Sequence, residues 1–176
     1  MPLCRKTSAV ALGSNLGDSL ALLSAAAQAL QQLAAPGSFR CSPLFRTAPV
    51  GGPADQPDFI NAVVLLDWQD TPEQLLEQLQ QLEAAAGRQR LIANGPRSLD
   101  LDLLWCGDEQ RSSAFLELPH PRLAQRRFVL QPLAALDSTL VPPGQALSVA
   151  ALLAQVEQRG EEPPPEQLPS PHNWPA

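Results

Sequence analysis

The order in which apolar residues switch between strand-like and helix-like spacing along residues 8–104 limits the fold more than any other feature of this sequence. Residues 8–12 form an apolar run that ends at Gly13-Ser14-Asn15, which reads as a buried strand leading into a turn. Leu20, Leu23, Ala27, Leu30 and Leu33 then recur at helical spacing behind a cap at Asp18 or Ser19, until Pro36-Gly37 stops them. Residues 39–47 read as a strand interrupted near Pro43, and residues 59–68 as a second, partly β-branched strand. Asp70 or Thr71, with Pro72, starts another helix, striped by Leu75, Leu76, Leu79 and Leu82 and closed by Gly87. Beyond a basic loop over residues 88–98, a strand resumes at Leu99.

Strand, helix, strand, strand, helix, strand is the order of a ferredoxin-like βαββαβ unit, an α+β sandwich whose antiparallel sheet carries helices on one face. Two additional helices, over residues 126–136 and 147–156, are expected near its C-terminal end. Residues 1–159 read as one domain, and residues 160–176, rich in Pro and Glu, as a disordered tail.

Composition removes several classes of function. No apolar run reaches the roughly 20 residues that a bilayer span needs, and no leader-like pattern follows Met1, so a cytoplasmic protein without membrane contact is expected. A net charge of −6 opposes nonspecific gripping of nucleic acid. Cys4, Cys41 and Cys106 lack zinc-ligand or redox spacing and read as buried or incidental thiols. Of 12 basic residues only Lys6 is lysine, and Arg88, Arg90, Arg97, Arg111, Arg122, Arg126 and Arg127 crowd one stretch. Arginine bias can reflect genome composition, but guanidinium forks also suit polyphosphate.

Within residues 99–104, Leu99, Leu101 and Leu103 alternate with Asp100 and Asp102, which turns both carboxylates to the same side of a strand. About 6.5 to 7 Å apart, they repel by roughly 2 to 3 kcal/mol at an effective dielectric near 20. A solvated face or an arginine bridge would relieve this, and so would magnesium, which favours one or two carboxylates plus substrate phosphates. The flanking arginines favour magnesium and a phosphoryl or pyrophosphoryl transfer. Gly13 to Gly17 lacks the Gly-Lys-Ser/Thr ending of a Walker loop, so Gly13 to Asp18 reads as a strand-to-helix turn, and whether it also borders the ligand is left open by the sequence.

The string Gly95-Pro96-Arg97-Ser98-Leu99-Asp100-Leu101-Asp102-Leu103-Leu104 resembles the signature of the 6-hydroxymethyl-7,8-dihydropterin pyrophosphokinases of folate synthesis. Ala11-Leu12-Gly13-Ser14-Asn15-Leu16-Gly17 resembles that family's opening, and Phe45-Arg46-Thr47 with Asp55-Gln56-Pro57-Asp58-Phe59-Ile60-Asn61 its pterin-binding part. Pro119-His120-Pro121 with Arg126-Arg127-Phe128 resembles its closing part. The resemblance implies transfer of pyrophosphate from ATP to the pterin hydroxymethyl, with AMP leaving, by a monomer using two magnesium ions. Asp100 and Asp102 would hold the metal, and Arg88, Arg97 and Asp102 would be catalytic. Gln80, Glu83, Arg88, Arg90, Arg97, Leu103, His120 and Arg126 would bind ATP; Thr47, Val50, Phe59, Asn61 and Phe128 would bind the pterin. The chain departs from the family at Ala93, where a basic residue is usual; at the next position, where an aromatic or Asn often follows, it has Asn94.

Two rival readings are a ferredoxin-like binding module for RNA or a regulatory ligand and a family member that binds pterin without catalysis. RNA-binding sheets present aromatic residues for base stacking, whereas this chain puts Asp100 and Asp102 on its last motif strand. Ala93 motivates the second rival.

Overall fold

The computed structural model describes residues 6–49, 55–87 and 98–175. Strand β1 (Lys6–Ser14) is followed by helix α1 (Ser19–Leu33), the short strands β2 (Arg40–Cys41) and β3 (Phe45–Thr47), and β4 (Phe59–Trp68). Helix α2 (Pro72–Ala85), β5 (Asp100–Cys106) and the hairpin of β6 (Arg111–Ser112) with β7 (Glu117–Leu118) come next. A 3₁₀ turn (Leu123–Gln125), α3 (Arg127–Asp137), α4 (Val149–Arg159) and β8 (Glu166–Gln167) complete the chain. Among the described residues, no helix is long and apolar enough to cross a membrane.

Local chemistry sets the helix starts. Asp18 caps α1 by accepting from the Ala21 N–H at 3.2 Å. Thr71 and Gln74 exchange hydrogen bonds as a capping box, and Pro72 occupies the first turn of α2, where its missing N–H costs nothing.

The main sheet runs β5-β1-β4-β3-β8, with β2 also on β4, and every pairing is antiparallel. It belongs to a mixed α+β fold, with four α-helices among the described residues. The pleat separates two cores. Val10, Leu12, Ala62, Val64, Leu66, Leu101 and Leu103 point to the face that packs Leu23, Leu30, Leu75 and Leu79 of α1 and α2. Ala9, Ala11, Val63, Leu65 and Leu104 point the other way, onto Val129, Leu130 and Leu133 of α3 and Leu152 and Val156 of α4. The additional helices, expected near the C-terminal end of the sheet, thus cover its second face. The physical cause is that β1, β4 and β5 are apolar on both sides, and a two-sided apolar strand needs two covering layers.

The tail departs most from expectation. Its Pro-rich composition predicts disorder, yet β8 pairs with β3, with Phe45 opposite Gln167 and Arg46 opposite Glu166. The Leu168 N–H donates to the Leu44 carbonyl at 2.8 Å, and Trp174 is 6% exposed, its indole N–H donating to the Ser42 carbonyl at 3.0 Å. One large aromatic anchor and an open strand edge offset the ordering cost that the prolines suggest would go unmet. Two arginines of the crowded stretch also serve the fold. Arg111 bridges Glu73 and Glu109, tying the β6 hairpin to the start of α2, and Arg127 joins α3 to Glu157 of α4 at 3.4 Å. Cys41 and Cys106 carry no disulfide, and burial pushes the Cys41 thiol up to about 12, so both sit as inert thiols.

Candidate active site

The second face of the sheet stops being core toward one end of its strands. The register aligns Asp100 with Gly13, Gly13 with Asn61, and Asn61 with Phe45, while Asp102 faces Ala11 and Thr47 faces Phe59. Because facing residues on neighbouring strands share a side, Asp100, Asp102, Asn61, Phe59 and Thr47 all project the same way. They line one cleft of about 400 Å³, to which the 3₁₀ turn and α3 add Arg122, Gln125, Arg126 and Phe128.

At one end of the cleft, Phe59 and Phe128 supply two aromatic side chains, and Asn61 supplies an amide. The Asn61 amide is 6% exposed and donates from Nδ2 to the Thr47 hydroxyl at 2.6 Å, so its orientation is held before any ligand arrives. Gly13 is required here by close approach: a Cβ at that position would lie 2.9 Å from Asn61 Oδ1. Asn15 secures the neighbouring loop, donating from Nδ2 to Gln56 Oε1 at 3.1 Å and to the Pro57 carbonyl at 3.0 Å.

The other end is charged. Asp100 and Asp102 lie on β5, the last strand of the sheet path, and the Arg126 guanidinium reaches Asp102 Oδ2 at 3.8 Å. The same guanidinium carbon sits 5.4 Å from the centre of the Phe128 ring, a cation–π distance that links the two ends of the cleft. No side chain caps the start of α3, so its positive dipole end adds to the field from Arg122 and Arg126.

The remaining sequence-derived site residues are distributed as follows. Glu83 is 5% exposed and accepts from the Leu101 N–H at 3.0 Å, which fixes β5 from the side opposite β1. Gln80 is exposed on α2, and the Leu103 side chain is packed in the core beneath α1 and α2. Neither lines the cleft, and of Leu103 only the main chain is left to meet a ligand. His120 stands behind the carboxylates. Its main-chain N–H donates to the Leu104 carbonyl at 2.8 Å, and its Nδ1 accepts from the Arg122 N–H at 3.2 Å. Burial first, then the charges of Arg126 and Arg122, lower its pKa to about 4, against a smaller opposing effect of Asp100. It is therefore a neutral imidazole at neutral pH. Val50, Arg88, Arg90, Arg97, Ala93 and Asn94 lie outside the described residues.

Sequence reasoning missed Gln125, Arg159, Glu161 and Glu162 as cleft residues. Gln125 follows Arg122 at helical spacing, a weak signal; Arg159 ends α4 and reaches the cleft because that helix packs on the second face of the sheet, and Glu161 and Glu162 follow it directly.

The model of the 7,8-dihydro-6-hydroxymethylpterin-pyrophosphokinase family matches residues 9–138. A Synechocystis protein named 2-amino-4-hydroxy-6-hydroxymethyldihydropteridine pyrophosphokinase is 40% identical over 148 residues, covering 84% of this chain and 75% of its own. Proteins of the same name from Haemophilus influenzae and Pseudomonas aeruginosa are 39% and 42% identical, covering 88% and 85% of their own lengths. Among solved structures, wild-type Plasmodium falciparum HPPK-DHPS is similar with a TM-score of 0.67 over 89% of this chain and 45% of that one. At 11% identity that likeness speaks for the fold alone.

Proposed function

Because the chain belongs to the 7,8-dihydro-6-hydroxymethylpterin-pyrophosphokinase family, we propose that it transfers the pyrophosphate group of ATP to the hydroxymethyl arm of 6-hydroxymethyl-7,8-dihydropterin, releasing AMP, a step of folate biosynthesis. The observation that carries the reading is that one cleft holds both an aromatic pair with an oriented amide and a carboxylate pair beside arginines. The first suits a flat hydrogen-bonding ring, and the second a polyphosphate. The same reading takes the sheet as ferredoxin-like, with β2 and β3, which both pair with β4, counted as one interrupted strand: the path β5-β1-β4-β3 supports it.

The donors at the charged end are carboxylate oxygens on one face of a strand, a set that suits a hard cation completing its shell with phosphate oxygens and water. Asp100 and Asp102 would hold magnesium, which when bound would neutralise phosphate charge and polarise the attacking oxygen. The protein's own groups do the rest. Phe59 and Phe128 sandwich the pterin, and Asn61 with Thr47 fixes its rotation, so that the hydroxymethyl arm points along the cleft toward Asp100 and Asp102. Arg126, with Arg122, faces the charge that builds on the leaving AMP and on the bridging oxygens. Arg88, Arg90 and Arg97 act with them in this proposal, as do Gln80, Glu83, Leu103 and His120 along the nucleotide and Val50 at the ring. Attack by the hydroxymethyl oxygen on the β-phosphorus forms the new P–O bond, the bond to the α-phosphate oxygen breaks, and Asp102 takes up the hydroxyl proton or passes it to solvent. Holding both substrates in one cleft supplies most of the rate through orientation and fixed charge.

Incubation with ATP, magnesium and the reduced pterin should yield AMP and the pterin pyrophosphate in equal amounts, resolved by ion-exchange chromatography. ATP consumption with ADP as product would refute pyrophosphoryl transfer, and loss of activity on chelation that only divalent metal restores would support the metal site. The chain is taken to act as a cytoplasmic monomer, and a sedimentation profile independent of concentration is the expected result.

A further inference from the structure

The chain beyond α4 brings a carboxylate to the ring end of the cleft. We propose that Glu162 is a specificity-determining residue, which accepts hydrogen bonds from the adjacent N–H donors of the pterin, the ring N3–H and the 2-amino group. The inference rests on the pterin reading given above and adds a contact to it.

Four observations carry it. First, Glu161 and Glu162 line the main cleft and also a smaller recess of about 220 Å³, which the tail forms with Thr47, Ala48 and Pro49. The pair therefore stands at the Thr47 end, among the residues that suit the ring.

Second, Glu162 is half-buried, whereas Glu161 is exposed. Among the described residues, the Glu162 carboxylate has no hydrogen-bond or ion-pair partner, although its main-chain carbonyl accepts from Arg127 Nη1 at 3.3 Å. The backbone is held while the side chain is left for something else. Burial raises the carboxyl pKa more than the charges of Arg127 and Arg126 lower it, as expected of a group short of donors.

Third, the segment is anchored at its far end. The pairing of β8 with β3 and the burial of Trp174 fix the tail against the same strand that carries Thr47, so Glu162 is positioned by the sheet. Fourth, the chemistry matches. Two parallel N–H donors on a planar ring are the complement of a carboxylate, as in the two-pronged pairing of guanidinium with carboxylate. Asn61, whose amide already donates to Thr47, can present only one acceptor to that edge.

The test uses the full chain with Glu162→Ala, Glu162→Gln, Glu162→Asp and, as control, Asp108→Ala, an exposed carboxylate that lines neither the cleft nor the recess, each checked for an unchanged melting temperature. AMP formation is measured with the pterin and with its 2-desamino analogue. Glu162→Ala should raise the pterin KM about tenfold, the weight of one charge-assisted hydrogen bond, while kcat and the ATP KM change less than twofold. The preference for the 2-amino ring should fall by a similar factor, Glu162→Asp should recover part of it, and Asp108→Ala should match the wild type. An active wild type whose pterin KM and ring preference survive Glu162→Ala overturns the inference. Absence of AMP from the wild type would sink the catalytic reading instead, and Glu162 is then judged by pterin fluorescence titration, where equal affinity of wild type and Glu162→Ala again overturns it.

Discussion

Gly13→Ala tests how tightly the ring end of the cleft is built. The added Cβ would sit 2.9 Å from Asn61 Oδ1 and 3.8 Å from Phe59 Cδ1. Carbon–oxygen contacts ordinarily settle at about 3.3 to 3.6 Å, so the amide oxygen must retreat by roughly half an ångström. Asn61 is 6% exposed and tied to the Thr47 hydroxyl at 2.6 Å, so it cannot swing out freely. Losing that hydrogen bond costs about 0.5 to 1.5 kcal/mol, and local overpacking about 1 to 3 kcal/mol. A destabilisation of about 2 kcal/mol is expected from urea unfolding, with a pterin KM raised about tenfold and the ATP KM unchanged. A double-mutant cycle isolates the cause: with Asn61→Ala already present, Gly13→Ala should cost less than about 0.5 kcal/mol, because the clashing atom is gone. If the full penalty persists in that background, the close approach of Gly13 and Asn61 is not what fixes the site.

Asp102→Asn keeps the shape of its side chain but removes charge from the carboxylate pair, and should lower kcat about a hundredfold or more with little change in pterin KM; near-normal AMP release by this variant would remove Asp102 from the mechanism. His120 gives a pH signature. Its folded pKa of about 4 lies below the unfolded value of 6.5, so the unfolded chain binds the extra proton and stability is lost as pH falls from about 6.5 toward 4. Denaturant midpoints of His120→Gln should therefore fall less than those of the wild type across that window, and parallel curves would contradict the burial of the imidazole. Trp174→Ala removes the buried indole and its bond to Ser42, and should cost about 3 to 5 kcal/mol in chemical unfolding; a loss under about 0.5 kcal/mol would mean that the tail does not pack.

By itself the sequence determined which way side chains face. Alternation over residues 99–104 is enough to put Asp100 and Asp102 on one side of β5, and the same two-residue period puts Phe59 and Asn61 together on β4. It also narrowed the caps of α1 and α2 to Asp18 or Ser19 and to Asp70 or Thr71, because a cap acts within a single turn, and the structure puts them at Asp18 and Thr71. These features are local, and local periodicity is what a chain displays without being folded. Only the tertiary structure decided which strands are neighbours and in what register, and that register is what lines up Asp100, Gly13 and Asn61 in one row. It also decided that α3 and α4 cover the site's face of the sheet, and that Trp174 pins a Pro-rich tail whose composition argues for disorder. Each of these depends on contacts between segments far apart in the chain, with energies set by the partner surface as much as by the segment, so no window of sequence carries them.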